Sequence, residues 1–409
     1  MKRIIALMIT VMFAMAAHSQ EFEPPQATGD EFEEVKVRVG ADFAMQYQSL
    51  SHSADSSLIP LGSNINLPTA NFNIKADLAP GMKLKLVTYL SSRHHVEAWV
   101  KGGYLLMDEL PFLNSSLADR VMERMTLKAG VMEINYGDAH FRRSDNGKVT
   151  VNPFVGNYIM DAFTTAPAFE AMFRQNGWLL MGAISSGSLR PDKVGFSSFT
   201  NTYTKYDLQD ELAYYFKAGL DKELTSDLRL RATLSGYINN NHHFGSLYYG
   251  DRAGSRYYLV MKRKEFESED VDAASGHTSG RWGPGFTDKN HAYMGNLFAK
   301  YKGLEFFGTY ETTSGTSAFS PAEYNFDQFA VEGLYRFGNN DEFYAGARYN
   351  KVSNDNDQSV DRIQVGAGWF MTQNVMLKLE YVDQNYENFA EYGSKAGFSG
   401  VMFEAAVSL

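Results

Sequence analysis

The sequence predicts an all-β fold: a transmembrane antiparallel β-barrel of about sixteen strands, with short periplasmic turns and long extracellular loops. Three observations carry this. Apolar residues recur at every second position in segment after segment. Short and long connections alternate. Aromatic residues on the apolar face sort to the strand ends. Composition agrees, with 14% aromatic residues and 35 Gly against 11 Pro in 409 residues. After the amino-terminal region no apolar run reaches the ~18 residues that a membrane helix needs. Barrel strands escape such a test because lipid-facing and lumen-facing residues alternate.

The chain opens with Lys2 and Arg3, an apolar run over 4–17, and the small residues of Ala17-His18-Ser19. This is the pattern of a secretory signal over 1–19, with cleavage expected before Gln20. Losing the two basic residues takes the formal charge from −10 to −12. An acidic chain does not suit nucleic acid, which selects basic surfaces. There is no Cys, so neither a disulfide framework nor a lipid-bearing cysteine is expected. Residues 20–32 read as a short periplasmic segment, too short for the plug domain of an energy-coupled transporter.

The barrel is expected over 33–409. In its first strand Val35, Val37, Val39, Ala41, Phe43, Met45 and Tyr47 face one way, with Lys36, Arg38, Asp42 and Gln46 between them. The same period of two places strands at 33–48, 69–79, 82–93, 96–107, 124–136, 167–176, 178–187 and 207–221. It continues at 228–240, 291–301, 304–313, 325–337, 342–351, 361–371, 375–385 and 398–409. Tyr257–Met261 competes as a further strand. Short connections carry Gly, Asn or Asp, as at Ala79-Pro80-Gly81, Asn176-Gly177 and Lys302-Gly303, the residues tight hairpins require. The long ones are 49–68, 137–166, 188–206, 241–290, 314–324, 352–360 and 386–397, with Arg93-His94-His95 a short exception. On the short-turn side, 108–123 is long. There Ser116-Leu-Ala-Asp119 suggests a capping box, and Leu117, Val121 and Met125 share a face. A short periplasmic helix is expected, packed under the barrel mouth or docking a partner.

On the apolar face, Trp178, Tyr301, Phe337 and Trp369 fall at periplasmic strand ends; Tyr47, Tyr293, Tyr310, Tyr349 and Tyr381 fall at extracellular ends. Such girdles mark the lipid headgroup levels. A soluble β-sandwich would not sort its aromatics by height.

The opposite face is charged. It carries Arg38, Arg174, Arg229, Arg231, Arg336, Arg348 and Arg362 as expected pore-lining residues, with Lys217, Lys378, Glu332, Glu380 and Glu404 among others. On the lipid side each charge would cost about 2–4 kcal/mol at mid-membrane, so these belong in a lumen. Sixteen strands leave an aqueous channel. The inward set is more basic than acidic, and acids concentrate in loops such as "EFESEDVD" at 265–272. That arrangement favours anions in the pore. The competing reading is that inward charges pair across strands and hold the wall.

The long connection "YGDAHFRRSDNGKVTVNPFVGNYIMDAFTTAP", 136–167, is too apolar for a free surface loop. Arg142, Arg143 and Lys148 would form a basic rim opposed by Asp138, Asp145 and Asp161, making a pore constriction; an ordered cap above the barrel is the alternative. Here "LKAGVMEINYGDAHF", 127–141, followed by a long ordered loop, resembles the strand-plus-constriction region of the phosphate-selective porin family of Gram-negative bacteria. The resemblance implies a sixteen-stranded outer-membrane barrel that passes anions. No single loop carries a dense run of Lys or Arg, so phosphate itself is not implied.

The expected function is that of an outer-membrane porin allowing passive diffusion of small hydrophilic solutes or ions, without enzymatic activity, catalytic residues, cofactor or metal. A non-conducting barrel serving a secretion or surface-assembly apparatus is the alternative, and an outer-membrane hydrolase the third. His140, Ser144 and Asp145 are near in sequence but are better explained by polarity than by a triad. His94-His95 and His242-His243 point to opposite faces of a strand. Asp355, Asp357 and Asp361 lack the Gly and Glu of a calcium loop. Expected partners are outer-membrane lipid, small solutes or anions, and the barrel assembly machinery. The last would grip the C-terminal strand "GVMFEAAVSL", 400–409, which ends on Leu409 instead of an aromatic residue. A homotrimer stays open, because inter-subunit and lipid-facing surfaces are both apolar.

Overall fold

The computed structural model describes residues 20–26, 32–65, 69–91, 97–145, 148–186, 194–197, 202–205, 212–240, 247–248, 254–264, 276, 278–317 and 320–409. Residues 1–19, the expected signal sequence, both His pairs and the acidic 265–272 stretch lie outside them.

Sixteen antiparallel strands close into one barrel. They are β1 (Lys36–Ser53), β2 (Thr69–Ala79), β3 (Met82–Ser91), β4 (Glu97–Met107), β5 (Met125–Glu133), β6 (Thr165–Gln175), β7 (Trp178–Ser185) and β8 (Ala213–Glu223). The circuit continues with β9 (Leu228–Asn239), β10 (Asn290–Tyr301), β11 (Leu304–Ser317), β12 (Ser320–Phe337), β13 (Phe343–Asn354), β14 (Ser359–Phe370), β15 (Val375–Glu387) and β16 (Ala396–Ser408). Each pairs with its sequence neighbours. β16 returns to β1, from Asp42 opposite Ser408 to Ser53 opposite Gly397. Closure leaves no open edge of unpaired backbone groups, which hydrocarbon does not tolerate. Tyr257–Met261 is not a strand; it lies inside the barrel. Val194–Ser197 and Thr202–Lys205 form a separate small hairpin.

Periplasmic strand ends fall close to expectation because turn chemistry fixes them. Asn176 and Gly177 both have positive φ, 52° and 86°, the pair of left-handed residues that a two-residue hairpin needs. The extracellular ends run further than expected. β11 reaches Ser317, β12 starts at Ser320, and β15 reaches Glu387. The outward face shows why. Above Tyr381, Ile363, Phe329, Tyr310 and Tyr47 the next outward residues are Asp383, Asp361, Asp327, Thr312 and Ser49. The strands leave the apolar layer there but keep pairing, so the alternation of apolar residues stops before the sheet does.

Below that level the outward face is apolar. Its lower border is an aromatic row in which Phe337, Phe343 and Trp369 stack on adjacent strands with centroids 5.7 and 5.9 Å apart. Trp178 and Tyr301 continue the exposed border. This apolar band is the membrane-facing surface. Leu297, at an outward position within it, is 59% exposed. Leu297→Arg is expected to lower stability in bilayers by about 2–4 kcal/mol. Urea titration of the folded band on gels would read it. An arginine at Asp383, above the band, should leave the midpoint unchanged.

The periplasmic helix α1 spans Ser116–Met122. Its N-cap is Ser115, whose side chain accepts from the Ala118 N–H, one residue before the expected capping box. Met122 is buried, but Leu117 and Val121 are exposed. The helix is not packed under the mouth by that face.

Candidate functional site

The lumen is occupied by the chain itself. After β5 the chain turns inward at Gly137, whose φ is +66°; a Cβ there would stand 2.1 Å from Met294 Sδ. The next N–H, of Asp138, donates to Asn296 Oδ1 on the far wall at 2.8 Å. The Asp138 carboxylate accepts from Arg231 Nε and Nη2 (both 2.8 Å), Lys217 Nζ (3.0 Å) and Thr233 Oγ1 (2.8 Å). Burial opposes its ionisation, but Lys217 and Arg231 outweigh this and hold the carboxyl well below the usual range.

From there residues 138–145 and 148–163 lie across the lumen and attach to the wall of β12–β15. Arg142 pairs with Glu332 (3.2 Å) and lies over the Phe307 ring. Tyr158 donates to the other Glu332 oxygen (2.5 Å), which also accepts from Arg348 Nε (2.9 Å). The N–H groups of Val155 and Gly156 donate to one Glu380 oxygen at 2.7 and 3.2 Å. Lys378 donates to the Val149 carbonyl (2.5 Å) and Tyr344 to that of Pro153 (2.8 Å). Main-chain groups that form no ladder are thereby satisfied by wall side chains, as burial demands.

A second segment, 254–264 with 278–286, stacks on the first. Tyr257 donates to Glu380 (2.8 Å), and Arg256 pairs with Glu404. Gln48 bonds both the N–H and the carbonyl of Tyr258, each at 2.7 Å. The Trp282 N–H donates to the Ile159 carbonyl at 3.0 Å. Arg362 clamps both segments, donating to the carbonyls of Asn157 and Gly280 and to Gln384, with Tyr257 under its guanidinium. An internal cavity of about 10 Å³ between Arg142, Asn157 and Arg348 has room for roughly one water. A far larger concavity, about 630 Å³, lies on the outer wall over Ala218, Ala232, Gly295 and Gly308. It is a lipid-facing groove, remote from the lumen chemistry.

The six residues expected at the constriction are all inside the barrel, but not as an open rim. Arg143 forms a two-pronged pair with Asp161 (2.6 and 2.8 Å). Asp145 meets Lys101 from the wall (2.5 Å), Lys148 meets Glu133 (2.8 Å), and Arg142 and Asp138 bind the wall partners above. Of the pore-lining set, Arg229 pairs with Asp221, Arg336 with Glu305 and Arg38 with Asp77. Arg38 is largely exposed, and Arg174 donates to the Pro24 carbonyl, so both stand at the mouth. The basic excess read along the strands is thus largely matched by carboxylates on neighbouring strands, as the competing reading has it. His140 bonds Glu133 and Asn135, so it does not join Ser144 and Asp145 in a triad. Asp355 accepts from Asn325 in a turn.

Sequence reasoning missed two occupants. One is 254–264 with 278–286, whose signal was the run "SRYYLVM" at 255–261, apolar yet broken by an arginine. The other is residues 20–26, expected as a periplasmic segment but lodged within the mouth, where Phe22 and Gln20 are buried.

No family model matches the chain, and no curated protein matches it in sequence. Solved structures do share its fold. An anion-selective porin from Comamonas acidovorans superposes with a TM-score of 0.53 at 8% identity, covering 92% of this chain and 100% of that one. The outer membrane channel DcaP of Acinetobacter baumannii gives 0.51 at 11%, covering 92% and 97%. A loop L8 deletion mutant of OmpT, an outer membrane protein of Vibrio cholerae, gives 0.50 at 11%, covering 92% and 99%. The chain has the porin-like fold of outer-membrane barrels, and at these identities the likeness is one of fold.

Proposed function

We propose that the protein is an outer-membrane passage for small hydrophilic solutes, held closed here by residues 137–145, 148–166, 254–264 and 278–286 and opened when they leave the wall. One observation carries this reading: the inner wall is charged where it is covered. Glu332, Arg348, Arg362, Lys378, Glu380 and Glu404 are all buried beneath the lumen segments. Buried ion pairs are poor stabilisers; apolar residues of similar volume often serve as well or better. A permanently solid barrel gains little from such a wall, whereas a lumen that fills with water in another state requires it. Selectivity would then come from width and lining charge. Arg362 supports a modest anion preference, since its hydrogen bonds go to Gln384 and to main-chain oxygens. No catalytic step belongs to this reading.

In a planar bilayer under a salt gradient, long closed periods with brief openings are expected, with a reversal potential on the anion side. Absence of current from folded wild-type protein and from a variant that releases the lumen segments would sink the passage. It would leave the second reading, a non-conducting accessory barrel, which the filled lumen favours.

A further inference from the structure

We propose that residues 20–26, Gln-Glu-Phe-Glu-Pro-Pro-Gln, are a displaceable plug seated in a built site at the periplasmic mouth, one that recognises an adjacent aromatic and acidic residue. The site is complementary in charge. Lys217, Arg229 and Arg231 face Asp138 and Asp221 from the wall and the first lumen segment. This cluster has three cations and two carboxylates, and Glu23 supplies the third. It accepts from Lys217 at 3.1 Å and lies 2.7 Å from Arg231 Nη2. Lys217 is fully buried, and both partners of Glu23 are positions where an unbalanced charge is costly.

Shape adds a second term. Phe22 is buried edge-on to Phe141 and Phe298, with centroids 5.8 and 5.3 Å away. The guanidinium groups of Arg231 and Arg229 lie 4.3 and 5.4 Å from its ring centre, within the range of cation–π attraction. The rest of the segment is strapped across the mouth. Arg229 donates to the Gln20 carbonyl and Arg142 to the Gln20 side chain, at 2.9 and 3.0 Å. At the other end Gln26 donates to the carbonyls of Met122 and Met125. Pro24 and Pro25 have no N–H to satisfy and favour an extended course. Every attachment is polar or aromatic contact without a strand ladder, so release costs the barrel no sheet pairing.

Recognition of the segment stands on this geometry alone; its effect on current rests on the passage reading. A chain beginning at residue 27 would be titrated in detergent with a fluorescent QEFEPPQ peptide. Saturable binding is expected, at least tenfold weaker when the Glu equivalent to Glu23 is Gln, and absent on the intact chain, whose site is filled. The same peptide, added only from the periplasmic side, should lower the open probability of the shortened chain, because Arg142 of the first lumen segment donates to the Gln20 side chain. Should the shortened chain not fold, Glu23→Gln in the full chain should speed hydrogen exchange of 20–26 at least tenfold. No binding, equal binding of the Gln peptide, or unchanged exchange would overturn the plug. Binding as expected without any current would uphold the site and show that the lumen segments stay closed without it, leaving the passage to the variant that releases them.

Discussion

Glu332→Gln is expected to shift the barrel from predominantly closed to predominantly open. Glu332 is a buried wall residue on β12 whose two oxygens serve four donors: Arg142 Nε and Nη2 and Tyr158 Oη from the lumen segment, and Arg348 Nε from β13. The amide keeps the shape but removes the charge and turns one acceptor into a donor. Two guanidinium groups then lose the Glu332 charge in a buried site, Arg142 keeping a longer contact to Glu305 at 3.9 Å. Breaking a buried pair from one side costs about 3–5 kcal/mol, because the remaining charge is uncompensated. Arg348 belongs to the wall and cannot leave. Arg142 sits on a segment held by side-chain bonds and can carry its charge into water. The cost therefore falls on the closed state. Each 1.4 kcal/mol is a factor of about ten, so a closed state favoured by a few kcal/mol loses its majority. Single-channel records should show open probability rising at least tenfold. Adding Arg142→Gln removes one stranded cation and should restore much of the closure, a coupling that a double-mutant cycle isolates. An unchanged open probability in the folded single variant would mean that Glu332 does not latch the segment.

The wall was legible in the sequence because its information is local. A period of two over about ten residues marks each strand, and residues such as Asn176-Gly177 mark each tight turn. The lumen was not, because its information is long-range. The partners of Arg142, Tyr158 and Arg362 lie 190, 174 and 205 positions away. The sequence shows that 137–166 is too apolar to be free and that its charges need partners. It cannot say which of the inward carboxylates each charge meets. Phe22 and Glu23 were hidden for a different reason: two acids, two prolines and one ring look like a solvated linker until Lys217 and Arg231 are seen beside them. The extracellular strand extensions were missed because their polarity inverts: the outward residues turn polar while the inward ones, such as Leu50, Val352, Val360 and Tyr386, are buried and apolar, so hydrogen bonding persists where the outward apolar signal ends.

Glu404→Gln is expected to lower the stability of the whole barrel by about 3–5 kcal/mol. Glu404 lies on the inward face of β16, the strand that closes the circuit, and is fully buried. On one side it accepts from Lys378 of β15 at 2.7 Å, and on the other from Gln46 of β1, also at 2.7 Å. From above it receives Arg256 of the second lumen segment. One carboxylate thus ties both seams of the last strand and the lumen filling. Val401 and Phe403 face outward beside it, and the Leu409 N–H reaches the Ala41 carbonyl at 2.8 Å, so β16 is fixed to β1 down to its last residue. Without the charge, Arg256 can withdraw with its segment, but Lys378 remains buried in the wall. The loss should therefore appear in the barrel itself, as a lower urea midpoint with an unchanged slope, and hydrogen exchange should open β1 and β16 first. Lys378→Met added to Glu404→Gln removes the stranded ammonium and should recover most of the midpoint, since deleting both partners of a buried pair is often nearly neutral. If the double variant is no more stable than the single one, Glu404 holds the seam through Gln46 and Arg256 and not through Lys378.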